Sequence, residues 1–162
     1  IRLADHRVRK GDSDPQLFTD FDTRIFNYAP VSGATVDEDL LMIAASEHNH
    51  GLLLAGFGAG NVPDRLLPFI KAAKEHEKPI FVYTKCDIGA ADMGIYTVGS
   101  ASLEAGAQPV GDMTLEALGQ KAMYSIGRAN NENLVGKERL SFIESVIKKS
   151  YNGDITVTKK RR

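Results

Sequence analysis

Gly51-Leu52-Leu53-Leu54-Ala55-Gly56-Phe57-Gly58-Ala59-Gly60-Asn61 opens as an unbroken apolar run and closes as a glycine-rich turn. An apolar run without polar alternation is what a strand buried on both faces requires, the environment of a parallel sheet. Glycines at 56, 58 and 60 carry no Cβ, so the chain turns tightly there and a ligand can approach the backbone. Downstream, Leu66, Leu67, Ile70, Ala73 and Lys74 recur at helical spacing over about 64–77, with Pro68 close enough to the start to be tolerated. Pro79-Ile80-Phe81-Val82-Tyr83-Thr84 is a second buried strand. Strand, helix and strand within about 35 residues make a βαβ unit, parallel and right-handed by rule.

Upstream of this unit, Thr35 and Glu38 have capping-box spacing before a helix over about 36–48, with Leu40, Ile43 and Ala44 on its apolar face. Residues 1–36 read as a loop-like linker or arm, because turn signals at Gly11–Pro15 and Tyr28–Gly33 flank a short aromatic stretch from Phe18 to Phe26. Downstream, Lys85 to Thr97 is irregular, and a short helix capped by Ser100 stops at Gly106. Ala107 to Val110 is a third strand candidate. Thr114 caps a helix reaching about 126, its entry stapled by Met113 against Leu118. Leu140, Ile143 and Ile147 stripe a last helix over about 137–149, and Ile155-Thr156-Val157 is an edge-strand candidate. No internal repeat is visible.

Composition narrows the function classes. With 162 residues and 43% hydrophobic content, the chain has the apolar surface for one ordinary α/β domain. Twenty Lys+Arg oppose 21 Asp+Glu, and a net charge of -1 gives no general pull toward nucleic acid or acidic lipid. The basic run Lys159–Arg162 reads as a solvated terminus. The lone Cys86 excludes an internal disulfide framework, and His6, His48, His50 and His76 have no metal-binding spacing, so neither a metal nor another cofactor is expected. No apolar run nears the roughly 18 residues of a membrane span, and the first six residues do not read as a signal peptide. The expected compartment is the reducing cytoplasm. The absence of an initiator Met fits either processing or a piece cut from a longer chain.

The glycine turn has three readings. A dinucleotide fingerprint would need a glycine where Asn61 stands, Pro63 removes an N–H from the helix entry, and the nearest acidic candidate for a ribose, Asp87, falls late. A purely structural turn needs no amide at its tip. Asn61 offers both a donor and an acceptor to a ligand, although Asn is also a common helix cap. Cys86 is flanked by Lys85 and Asp87 without a neighbouring His to activate it, so a buried or half-buried structural thiol is expected. His48 and His50 point to different sides of a helix end, which favours surface roles over a metal.

Gly51 to Pro63 resembles the glycine-turn segment of bacterial-type L-asparaginases. Asp92-Met93-Gly94-Ile95-Tyr96-Thr97-Val98-Gly99-Ser100, Leu103-Glu104-Ala105-Gly106-Ala107 and Gly111-Asp112-Met113-Thr114-Leu115-Glu116-Ala117 are similar to that family's following segments, in the same order. Arg7 to Lys10 and Phe21 to Tyr28 resemble, more loosely, the passage out of its first domain. The resemblance covers most of residues 7–126. It implies a three-layer α/β/α domain with a small, mostly parallel sheet: residues 37–162 as the carboxy-terminal domain and 1–36 as an arm from a preceding one. The family's nucleophilic Thr, near a T-G-G-T-I motif, and its Thr-Asp pair lie on an amino-terminal domain, and neither motif occurs here. Asp22-Thr23 lacks the H-G-T lead of that pair.

No catalytic residue is therefore assigned to this chain. The resemblance implies that Asn61, and more loosely Asp92, contact substrate in a site completed by the amino-terminal domain. Asp92 also reads as an ordinary loop or cap carboxylate. The implied whole protein is a homo-oligomer, dimeric or tetrameric, that hydrolyses L-asparagine through a Thr acyl-enzyme. Glutamine as substrate and an amidotransferase role stay open, and so does a stand-alone binding module without catalysis.

Overall fold

The computed structural model describes residues 17–31, 38–86, 89–93, 97–151 and 153–156. Thr35 of the capping box, Asp87 and the basic terminus lie outside them. The elements are β1 (Ile25–Tyr28), α1 (Glu38–Ala45), β2 (Gly51–Gly56), a 3-10 turn at Asp64–Leu66 leading into α2 (Leu67–Glu75), β3 (Ile80–Thr84), α3 (Thr97–Ala105), β4 (Ala107–Pro109), α4 (Leu115–Asn131) and α5 (Gly136–Lys148). The strands lie side by side in chain order and every pair is parallel.

That order dictates the layers. Successive crossovers of one hand, each stepping to the next strand in the same direction, leave all their helices on one face. Leu52, Leu54, Ile80 and Val82 point to that face and pack with Leu40 and Ala44 of α1, with Phe69, Ile70 and Ala73 of α2, and with Ala105 of α3. The opposite face stays uncovered until the last strand is laid down, and α4 and α5 then close it. Leu53, Ala55, Phe81 and Tyr83 meet Leu118, Ala122, Ile126, Ile143 and Ile147 there. The result is the expected α/β/α sandwich. A fully buried Leu, Ile or Phe contributes roughly 1.5–3 kcal/mol, whereas a glycine in a strand costs up to about 1 kcal/mol. The run Leu52–Leu54 can therefore carry glycines at both ends of β2.

Several local expectations hold. The Thr114 hydroxyl accepts a hydrogen bond from the Ala117 amide at 3.3 Å, and Met113 and Leu118 are buried in one cluster, as the staple requires. Pro68 sits in the first turn of α2, where its missing N–H costs nothing.

Others are corrected. The loop-like reading of 1–36 fails at Ile25–Tyr28, which is the edge strand β1, paired with Gly51–Leu54. An edge strand is only half-buried and needs no continuous apolar run, so Asn27 hid it. Helix α4 runs to Asn131 rather than ending near 126. Gly127 is no stop signal; a Cβ there would lie 2.0 Å from the Asp20 carbonyl oxygen, so the glycine admits the chain that crosses the helix. Helix α3 begins at Thr97, which puts Ser100 inside it rather than at its cap. Ile155 and Thr156 are not strand, because the Asp112 carboxylate takes the Thr156 amide at 2.8 Å in place of a neighbouring strand.

Candidate functional site

The glycine turn lies at the carboxyl end of β2, the edge of a parallel sheet where ligands bind in open α/β folds. Phe57 and Asn61 pair across it, each amide donating to the other's carbonyl at 2.8 Å, and the Gly60 amide also donates to Phe57 at 3.1 Å. Gly58 and Gly60 hold positive φ, +52° and +93°, and a Cβ on Gly56 would fall 2.6 Å from the Gly60 backbone. The chain can fold back this sharply only with glycine at these places.

Neighbouring strand ends fasten the turn. The Thr84 hydroxyl, at the end of β3, donates to the Gly58 carbonyl at 2.6 Å and receives the Cys86 amide at 3.1 Å. The Asp92 amide donates to the Ala59 carbonyl at 2.9 Å, and Gly60 packs against Ala91. Ala91 in turn exchanges hydrogen bonds with Gly111, beyond β4, at 2.7 and 3.2 Å. The segments bearing Asn61 and Asp92, the two residues singled out from sequence, thus border one turn.

The geometry decides between the readings of that turn. Three of its amides, those of Phe57, Gly60 and Asn61, are consumed internally, and the helix beyond opens through a 3-10 turn whose cap is Pro63, which has no N–H to offer. A phosphate cradle needs free amides converging at a helix start, and these are not assembled here. The capping alternative also fails for Asn61, since neither the 3-10 turn nor α2 receives a side-chain cap. Asn61 is half-buried and its side-chain amide has no hydrogen-bond partner among the described residues, so a neutral donor–acceptor pair stands open at the strand end. Asp92 is exposed and its interactions are not confined to the amide described above. Phe57, 39% exposed, forms an apolar rim beside them.

Cys86 is exposed, against the expectation of a buried thiol, because it follows the last laddered residue of β3. Among the described residues no cluster of His, Cys, Asp and Glu suits a metal ion, and no helix is long and apolar enough to cross a membrane.

A second polar cluster, unforeseen from sequence, lies at the opposite, amino end of the sheet. Asp22 is buried and gathers donors from three parts of the fold: Arg24 through its backbone amide, Nε and Nη2, His50 through Nδ1 at 2.6 Å, and Asn130 through Nδ2 at 2.8 Å. Burial alone would raise the Asp22 pKa, but the hydrogen bonds from Arg24 and His50 outweigh it and hold the carboxyl well below the usual range. Residues 28 and 108 positions apart carry no local signal of such a meeting. His50 is therefore tied to a buried acid, while His48 is exposed as expected.

Comparison with known proteins adds a family to this geometry. The profile of the glutaminase/asparaginase C-terminal domain matches residues 32–137. An L-asparaginase of Thermococcus kodakarensis is 29% identical over 156 residues, which is 95% of this chain and 44% of that protein. A glutamyl-tRNA(Gln) amidotransferase component from Methanothermobacter thermautotrophicus is 26% identical over 135 residues, 83% of this chain and 31% of the relative. Among solved structures, the thermostable T. kodakarensis L-asparaginase superposes with a TM-score of 0.79 at 30% identity, over 96% of this chain and 45% of its own. L-asparaginase I of Vibrio cholerae reaches 0.68 at 26% identity, over 83% of this chain and 38% of its own. The chain spans less than half the length of each of these relatives.

Proposed function

Because the chain belongs to the glutaminase/asparaginase C-terminal domain family, we propose that it is the carboxy-terminal domain of an L-asparaginase-like amidohydrolase, residues 37–162 with 1–36 as the arm from a preceding domain. Strand β1 is the part of that arm built into the sheet. The reaction is the hydrolysis of L-asparagine to L-aspartate and ammonia, with the nucleophilic Thr supplied by the other domain.

The observation that carries this reading is the Asn61 side-chain amide, unpartnered among the described residues at the carboxyl end of β2, on a turn fastened by two neighbouring segments. A neutral amide neither attacks nor takes up a proton at working pH, but it orients a bound amino acid by hydrogen bonding. Asp92 stands beside it as the second substrate-contact candidate. The working assembly is a homo-oligomer in the cytoplasm, and the chemistry needs no cofactor.

In the full-length protein, Asn61→Ala lowers kcat/KM for L-asparagine about 10- to 100-fold, the equivalent of one lost hydrogen bond to a charged group. Its thermal midpoint stays that of the parent, since the side chain braces nothing. A fully active Asn61→Ala enzyme contradicts the assignment.

The repeated similarity to components of glutamyl-tRNA(Gln) amidotransferases supports a second reading, in which the same domain serves amide release within a tRNA-dependent amidotransferase. Ammonia release from free L-asparagine, measured against release that requires a charged tRNA and a partner protein, separates the two.

A further inference from the structure

At the amino ends of the strands, away from the glycine turn, the loops leading into β2 and β3 and the turn between α4 and α5 enclose an open cleft of about 490 Å³. Among the described residues, two of the cations that line it have no ion-pair partner. Lys78 is only 9% exposed, and its ammonium donates to the Ser46 carbonyl at 2.5 Å. Arg139 is half-buried, and its Nη1 donates to the Glu77 carbonyl at 3.0 Å. Neither forms an ion pair with a carboxylate among the described residues, whereas Arg24, Lys121 and Arg128 hold Asp22, Asp154 and Glu132.

The acids around the cleft are committed elsewhere or act only through space. The Glu77 carboxylate accepts from the Gly136 amide at the start of α5, 3.2 Å away, its backbone oxygen takes the Arg139 Nη1, and its charge, like that of Asp22, acts on Arg139 only through space. Glu47 is exposed and acts on Lys78 at a distance. Burial lowers the pKa of both cations, as expected of positive charge taken from water without full compensation. The imidazole of His50 lines the same cleft with Nδ1 held by Asp22, which leaves Nε2 as its available nitrogen.

We propose that this cleft is a binding site for a small oxyanion, a carboxylate or phosphate group, seated between Arg139 and Lys78. Arg139 spends one of its five N–H donors and Lys78 one of three, so each has further charge-assisted hydrogen bonds to give. Glu47 and Glu77 at the rim repel polyanions and restrict the ligand to one or two charges. The site stands apart from Asn61 and does not depend on the proposed hydrolysis.

The test is an amide chemical-shift titration of the full-length protein with sodium acetate and, separately, inorganic phosphate, at ionic strength held constant with sodium chloride. Saturating shifts at Glu77, Lys78, Gly136 and Arg139 with either anion support the site. Linear or scattered shifts with both anions overturn it, and that result requires no variant. Arg139→Gln and Lys78→Met should each weaken binding about tenfold, the loss of one charge-assisted hydrogen bond. Undiminished binding in a folded Arg139→Gln protein also overturns the proposal.

Discussion

Asp22 shows how one side chain can organise a fold without announcing itself. Its carboxylate ties the arm before β1 to the first residue ahead of β2 and to α4, and each tie is a hydrogen bond of 3.1 Å or less. In the unfolded chain it titrates near the ordinary value of about 3.9, whereas in the folded protein its pKa lies below the usual carboxylate range. A depressed folded pKa contributes stability above the unfolded value and loses it as pH falls through the folded one. Asp22→Asn should therefore cost the most stability near pH 7, and the gap from the parent should narrow progressively below about pH 4. Urea unfolding at pH 7, 4 and 3 measures the gap, and a difference independent of pH contradicts the ionic account. The position of Asn61 at a strand end was legible from sequence, because it depends on the adjacent strand and turn. Asp22 was not, because its value comes from residues brought together only by the fold.

At the scale of elements, apolar runs and caps located β2, β3 and the entry of α4, since each is decided by neighbours in sequence. What escaped was decided by tertiary contact. The end of α4 turned on Gly127, which local propensity treats as a breaker but which the fold keeps helical so that the arm can pass at Asp20. Gly127→Ala sets two effects against each other: alanine gains about 1 kcal/mol of helix propensity, while overpacking costs roughly 1–3 kcal/mol or more. A Cβ 2.0 Å from a carbonyl oxygen cannot be absorbed by a side-chain shift, because the obstacle is backbone. The steric cost wins, and the variant should lose about 2 kcal/mol in urea unfolding. A stabilised Gly127→Ala protein would show that the arm does not cross there.

At the scale of the whole molecule, the βαβ unit read from residues 51–84 and the helices after β4 were enough to imply an α/β layer fold. The monotone strand order supplies the rest: it puts the three crossover helices on one face and leaves α4 and α5 to cover the other. The two ends of the sheet then acquire different characters. Among the described residues, the carboxyl end bears a fastened turn with an unpartnered side-chain amide, and the amino end bears a buried acid and two cations without an ion-pair partner. On the proposed reading such a domain orients an amino acid through Asn61 and takes its nucleophile from another domain. The most direct test of a borrowed active site is ammonia release from L-asparagine by the 162-residue chain, its fold checked by circular dichroism. No release above the uncatalysed rate is expected, and sustained turnover by this chain alone would contradict a nucleophile supplied by another domain.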